Sequence, residues 1–367
     1  MYSQNELDDA VASGAISAEA AASLRAFIET QHSSPVVDEE QFRLITGFND
    51  IFVSIAAVIL MVAVGWIGQS IGQSLGTAVE GDGPSFLAPA AVAATSWGLA
   101  LFFTAKRRMA LPSIILLLAF VGAVFATVGF IGAAAVGDPP NNQEGLYAGV
   151  IAAIAGAFAA GAAWIHWKRF RVPITVAAGA AAVAAIVVGL LIAVVGDPEP
   201  YKNLILGVVL VLGIGVFLFA MRWDSSDPAR LTRRSDVAFW LHLLAAPMIA
   251  HPIFTLLRVG DGNMTIGMGL IVVLLYILFG LAALAVDRRA LLVSALAYVL
   301  FALNELFKQF GAIELNVAFT ALLIGSSLLL LSAFWHQARE AVVKPLPDSL
   351  RSKLPQVTSA RVTAQAA

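Results

Sequence analysis

From Asp50 onward the chain is a succession of long stretches without a charged residue, and nothing else in the sequence constrains its fold as much. The stretches are 51–79, 83–105, 109–137, 145–167, 172–196, 203–221, 237–257, 262–286, 290–304 and 315–335. A helix needs roughly 20 apolar residues to cross ~30 Å of hydrocarbon. Nine of the ten runs reach about that length, and 290–304 does so only by continuing through Glu305 to Phe310. The runs lack the period-two alternation of a barrel strand, and a backbone in lipid must satisfy its own polar groups, so helices are the expected form. The sequence therefore predicts an all-α polytopic membrane protein of about ten transmembrane helices.

Charge is sorted between alternate turns. One set holds Lys106-Arg107-Arg108, Lys168-Arg169-Arg171, Arg222-Arg230-Arg233-Arg234 and Arg288-Arg289, and the C-terminal tail adds Arg339, Lys344, Arg351, Lys353 and Arg361. The other set holds Glu80-Asp82, Asp138-Glu144, Asp197-Glu199 and Asp261, with Lys202, Arg258 and Lys308 as its only nearby cations. Under the positive-inside rule this alternation places both termini in the cytoplasm. Trp164, Trp167, Trp223, Trp240 and Trp335 fall near the same, cytoplasmic interface.

Only 13% of residues are charged, against about a quarter in soluble domains. The absence of cysteine excludes disulfides, thiolate metal sites and cysteine nucleophiles. The polar first ~50 residues lack the basic and apolar regions of a signal peptide, so the N-terminus is expected to be retained. Three parts follow: a cytoplasmic helical module with an amphipathic lead-in at 1–50, a transmembrane domain at 51–336, and a basic, partly disordered cytoplasmic tail at 337–367. In the first part Ser3 with Glu6 has capping-box spacing, Gly14 ends one helix, Ser17 caps a second running to about Gln31, and Asp38 to Phe48 forms the lead-in. In the tail Leu346, Leu350 and Leu354 suggest a short surface segment on the anionic leaflet.

The turns also repeat. Gly81-Asp82, Gly137-Asp138, Gly196-Asp197 and Gly260-Asp261 mark one side; Arg107-Arg108, Arg169-Phe170-Arg171 and Arg288-Arg289 mark the other. The unit would be a helical hairpin of about 60 residues. The alternative is that such turns are simply what short bilayer connections look like. Ala152, Gly156 and Ala160, and Ala177, Ala181, Ala185 and Gly189, follow small-xxx-small spacing, which lets helices approach closely in lipid.

Ionisable residues inside spans are expensive and are the first place to look for function. His242 and His251 lie in the seventh run, with Pro247 and Pro252; Asn304, Glu305 and Lys308 lie near the end of the ninth. On an ideal helix His242 and His251 are about 13 Å apart on opposite faces, too far to share a ligand. His251 and Glu305 lie at matching depths, ~21 and ~22 Å from the inner ends of their spans. A His251–Glu305 pair with Asn304 and Lys308 beside it could exchange a proton near neutral pH. Against this, Glu305 and Lys308 can neutralise each other at i, i+3, and a lone histidine can bond a carbonyl freed by proline. His166 and His336 read as boundary residues. Haem ligation lacks histidines on facing helices, and no metal site or cofactor is expected. Walker, His-Glu-x-x-His and Gly-x-Ser-x-Gly motifs are missing, so no enzymatic activity is expected, and no basic domain supports nucleic-acid binding.

The stretch Leu7 to Ile28 with Gly14-Ala15-Ile16-Ser17-Ala18-Glu19-Ala20, followed by Phe48-Asn49-Asp50 and a multi-span region, resembles the bacterial membrane proteins grouped as the DUF2157 type. The shared pattern covers about 70 residues. That family has no assigned activity, so the resemblance implies an inner-membrane protein and no site. Two functions fit the sequence. One is a small-molecule secondary permease with a polar site in the outer half of the membrane. The other is a non-transporting scaffold or sensor whose N-terminal helices bind a protein partner, a reading the charge-poor interior and short loops favour slightly.

Overall fold

The computed structural model describes residues 11–24, 48–79, 83–140, 143–227, 230, 232–259, 265–309, 316–351 and 354–355. The chain divides into two compact units, 1–44 with 358–367, and 45–357. In the first, Gly14 takes a φ of 73° and its N–H donates to the Val11 carbonyl at 3.0 Å, which closes a helical turn. The Ser17 hydroxyl accepts from the Ala20 N–H at 3.1 Å and caps the helix at 18–24, as its position in the sequence suggested. The Ser3–Glu6 box and nearly all of the 38–48 lead-in lie outside the described residues.

The second unit is helical. Its elements are α1 (Phe48–Ser74), α2 (Leu87–Phe103), α3 (Ala110–Val136), α4 (Glu144–Phe170), α5 (Ile174–Val195), α6 (Lys202–Ser225), α7 (Arg233–Leu256), α8 (Ile266–Val286), α9 (Ala290–Gln309), α10 (Asn316–Ala333), α11 (Trp335–Val343) and α12 (Asp348–Arg351). The described residues form no strand; Ala78 and Ser85 make an isolated bridge. Each uncharged run of the sequence corresponds to one of α1 to α10. Among the described residues seven helices, α1 and α3 to α8, are long and apolar enough to cross a membrane. An eighth is added if α10 and α11, bent by 77°, count as one broken span. α2, with 17 residues, and residues 291–304 of α9 are shorter apolar helices.

The shortness of α2 has a local cause. Gln69 of α1 reaches back to the connecting loop, donating to the Gly83 carbonyl and accepting from the Ser85 N–H, both at 2.8 Å. The Ser85 hydroxyl also meets Thr77 at 2.9 Å. These bonds hold residues 83–86 out of the helix, so the run that reads as one span from 83 yields a helix only from 87.

Turn geometry recurs. Arg108, Arg171 and Asp287 each close a turn in the left-handed region, at φ of 54°, 56° and 59°, two or three residues before the next helix starts. Gly137 and Gly196 end α3 and α5 at φ of 63° and 74°, where a side chain would be strained.

Consecutive helices pack as hairpins, α4 with α5 most closely. A Cβ on Gly189 would lie 2.8 Å from the Ala153 nitrogen and from the Gly149 carbonyl, and one on Gly156 would lie 3.0 Å from the Ala182 carbonyl. The small-residue stripes thus meet backbone to backbone, and the seam also includes Gly145 and Gly149. α5 packs in turn against α6 and α7, and α9 against α7, α8 and α10. α7 is the most enclosed: Val237, Ala238, Leu241, Ala245, Ala246, Ala250 and Phe254 are all at most 1% exposed. It stays one helix through both Pro247 and Pro252. By contrast Leu270, Leu274, Ile277, Leu278 and Leu281 of α8 and Phe52, Ile59, Val62 and Trp66 of α1 are exposed. Apolar surface of that extent suits contact with lipid rather than water.

Candidate functional site

The buried charge of the second unit gathers at one end of the bundle, where α6, α8 and α10 finish and α7, α9 and α11 start. Asp224, the penultimate residue of α6, has a side chain with no exposed surface. Its Oδ1 accepts from Arg288 Nη2 at 2.6 Å; its Oδ2 accepts from His242 Nε2 at 3.0 Å and from Arg288 Nε at 3.4 Å. Arg288 Nη2 also donates to the Ser235 carbonyl at 3.2 Å, and its guanidinium lies over the Phe239 ring. One carboxylate thus joins α6, α7 and the α8–α9 turn.

An adjoining carboxylate does the same for the other side. Asp287 Oδ2 accepts from Arg230 Nη1 at 2.7 Å, and its Oδ1 accepts from the Trp335 indole N–H at 2.7 Å, with Arg339 Nε at 3.8 Å. Arg230 Nη2 also reaches the Val286 and Asp287 carbonyls, each at 3.3 Å. Arg339 Nη2 donates to the Pro355 carbonyl at 2.7 Å, which brings the C-terminal tail at that residue into the cluster. Asp227 supports the loop by accepting from the Thr232 N–H and hydroxyl at 2.8 and 2.7 Å, while the Thr232 oxygen caps α7 through Arg234 N–H.

Electrostatics follow from this geometry. Burial alone would raise the Asp287 carboxyl, but the Arg230 and Arg339 charges and the Trp335 N–H outweigh it and hold it below the ordinary carboxylate value. Burial and the neighbouring Arg288 charge lower Arg230, opposed by Asp287 and Asp224. A carboxylate can only accept, so His242 presents Nε2–H to Asp224. Its other ring nitrogen, Nδ1, is buried without a hydrogen-bond partner, against Phe217 at 5.1 Å between ring centroids.

The two histidines singled out from the sequence lie in different surroundings. His242 belongs to the Asp224 cluster. His251, one exposed residue of α7, meets the Tyr298 hydroxyl of α9 through Nδ1 at 2.5 Å, with Thr255 Oγ1 at 3.5 Å. Tyr298 in turn stacks on Phe254 at 4.6 Å. Asn304 is half-buried further along α9. Glu305 and Lys308 lie on the α9 backbone, but their side chains fall outside the described residues, and with them the expected His251–Glu305 pair. Two histidines that sequence spacing kept apart therefore have separate partners.

Three places read from the sequence as boundaries are packed against the protein. His166 is fully buried, its Nδ1 3.3 Å from the Thr175 hydroxyl and its ring among Phe170, Phe120 and Trp97. Trp335 is 4% exposed, its N–H bonded to Asp287 in the turn at the basic end. At the start of the tail α11 runs through position 337, and Arg339 and Val343 are buried. Among the described residues no three His, Asp or Glu side chains gather as a metal site.

Fold and cluster together define the class: an all-helical protein whose apolar helices have the length and composition of multi-pass membrane spans, with its buried ion pairs drawn to one end. Comparison with protein-family models, with curated proteins and with solved structures finds no match.

Proposed function

We propose that the chain is a non-transporting inner-membrane scaffold or sensor of ten spans, with both termini in the cytoplasm and with N-terminal helices that bind a protein partner. The observation that carries this reading is the enclosure of the Asp224 carboxylate: its side chain has no exposed surface and both oxygens bond Arg288 or His242, so it clasps helices and presents nothing to a substrate. The clasp lies at the end bearing the basic turns, which the positive-inside rule assigns to the cytoplasm. The resemblance of the N-terminal ~70 residues to the DUF2157 type points to the same membrane. No catalytic step belongs to this reading.

A second reading, a secondary permease, draws on one specific observation. His251, Tyr298 and Thr255 form a polar contact on α7 and α9 amid apolar surface, and Asn304, Glu305 and Lys308 lie further along α9. Flux measurements separate the two. Purified protein in proteoliposomes, challenged with a panel of amino acids, sugars, organic acids and drug-like cations under a proton gradient, is expected to behave as empty liposomes do. Substrate-dependent proton movement that is lost in His251→Ala and Glu305→Gln would overturn the scaffold reading in favour of the permease.

A further inference from the structure

One exposed stripe of α7 runs through Leu243, Pro247 and His251, a turn apart from one another. His251 interrupts this apolar stripe with a polar ring, whose Nδ1 is held at 2.5 Å by the Tyr298 hydroxyl. Tyr298 is itself fixed, because its ring stacks on the fully buried Phe254 at 4.6 Å between centroids and 14° between planes. The pair leaves one hydrogen over. Neutral histidine brings one N–H and tyrosine one O–H, and the contact between them uses one of the two. If Tyr298 donates to Nδ1, the His251 Nε2–H is left; if Nδ1–H donates to Tyr298, the phenol hydrogen is left. Thr255 Oγ1 lies 3.5 Å from Nδ1, at the long limit of a hydrogen bond, and does not serve the spare hydrogen. Neither side chain has another hydrogen-bond partner among the described residues. Depth makes this costly. α7 has 24 residues and is about 36 Å long, so it overhangs a hydrocarbon layer of ~30 Å by about 3 Å at each end. His251 precedes the last residue, Leu256, by about 8 Å, which leaves it about 5 Å inside the hydrocarbon. A polar hydrogen there has no water to bond.

We propose that the spare hydrogen is donated to a carbonyl oxygen of a membrane quinone, whose ring lies against α7 and α9 at His251 and Tyr298. The chemistry selects the ligand. It must dissolve in hydrocarbon, since the exposed stripe faces the bilayer. It must offer a neutral acceptor, and it must offer it below the level of the phospholipid ester carbonyls, which border the hydrocarbon rather than enter it. A quinone meets all three conditions, with two carbonyl oxygens on a flat ring at the end of an apolar tail. The donor is held in advance, because the stacking of Tyr298 on Phe254 fixes the hydroxyl that orients His251. Binding alone is meant, and no electron moves. The site is the same whether the protein scaffolds or transports.

Photolabelling in nanodiscs tests it. Full-length protein in discs of ester-linked phosphatidylcholine is irradiated with an azido-benzoquinone carrying a decyl tail, and the labelled peptides are identified by mass spectrometry. Wild type is expected to show saturable labelling around His251 and Tyr298, displaced by the unlabelled decyl quinone and not by decylbenzene, which keeps ring and tail but has no carbonyl. Tyr298→Phe keeps the ring on Phe254 and removes the hydroxyl that orients His251, and it should weaken the apparent affinity roughly fivefold, the worth of one hydrogen bond. The double variant His251→Leu/Tyr298→Phe, without either donor, should lose the saturable labelling. Labelling that does not saturate, equal displacement by decylbenzene, an affinity unchanged in Tyr298→Phe, or labelling that survives in the double variant would each overturn the proposal. So would labelling seen only in discs of ether-linked lipid, since the hydrogen would then belong to phospholipid ester carbonyls. Thermal midpoints establish that each variant is folded, and Tyr298→Phe decides the matter if the double variant is not.

Discussion

Asp224 is the residue on which the basic end depends, because removing Arg288 leaves its charge buried without a cation to compensate it. A buried ion pair is a modest net stabiliser as a whole, yet breaking one member of such a pair typically costs about 3–5 kcal/mol. Arg288→Ala should therefore lower the thermal midpoint in detergent far more than Arg289→Ala, its chain neighbour. The double variant Asp224→Asn/Arg288→Met should recover much of that loss, since it removes both charges. A double variant no more stable than Arg288→Ala would show that shape, and not charge, holds the cluster. Asp287 gives a pH signature of definite sign. Its folded carboxyl is held below the ordinary value of about 3.9. Its contribution is thus complete above that value and lost as pH falls through the folded one. The gap in thermal midpoint between wild type and Asp287→Asn should be widest near neutral pH and should close as pH falls below about 4; a gap that is constant or widens on acidification would contradict the ion pairing. Sequence spacing could flag His242, because an ionisable group inside an apolar run is conspicuous. It could not find the partners, which lie 18 and 64 positions apart from one another as Asp224–His242 and Asp224–Arg288. Asp224 and Arg288 look like ordinary loop charges until the turns fold under the bundle.

At the scale of elements, the α4–α5 seam is where the sequence was most informative. Regular Ala and Gly spacing predicts close approach, and the helices do meet through Gly149, Gly156 and Gly189. Gly189→Leu should destabilise by at least about 1–3 kcal/mol through overpacking. Gly161→Ala, on α4 with nothing within 4 Å of the new Cβ, should be neutral or slightly stabilising. Thermal unfolding of the two variants in one detergent checks this, and equal midpoints would mean the seam can part without cost. The bend between α10 and α11 was not legible. Hydropathy carries the last run smoothly through to Trp335, but the chain turns by 77° near Phe334. The cause is tertiary: the Trp335 N–H and the Arg339 guanidinium are drawn to Asp287, almost fifty residues earlier.

For the whole molecule, the natural absence of cysteine makes the proposed topology directly measurable. Single cysteines at Asp138 and Asp197 should react with a membrane-impermeant maleimide on intact cells. Those at Lys106 and Lys168 should react only after permeabilisation. Labelling of all four from outside, or of none, would break the ten-span reading. Its weak points are visible in the helices themselves, since α2 and the 291–304 part of α9 are short. The apolar runs located every helix from α1 to α10, because in lipid the backbone has few alternatives. They did not say which helices touch, because nearly any apolar face can meet another. The described ion pairs of the second unit also have a consequence for how the molecule is assembled. They join α6 to α11 and the tail among themselves, and the packing of the first five helices against α6 and α7 is made chiefly by α5. The Gly196–Tyr201 turn is then little more than a tether. A membrane bundle joined in that way can be made as two polypeptides, severed at this turn, that find each other in the bilayer after each has inserted by itself.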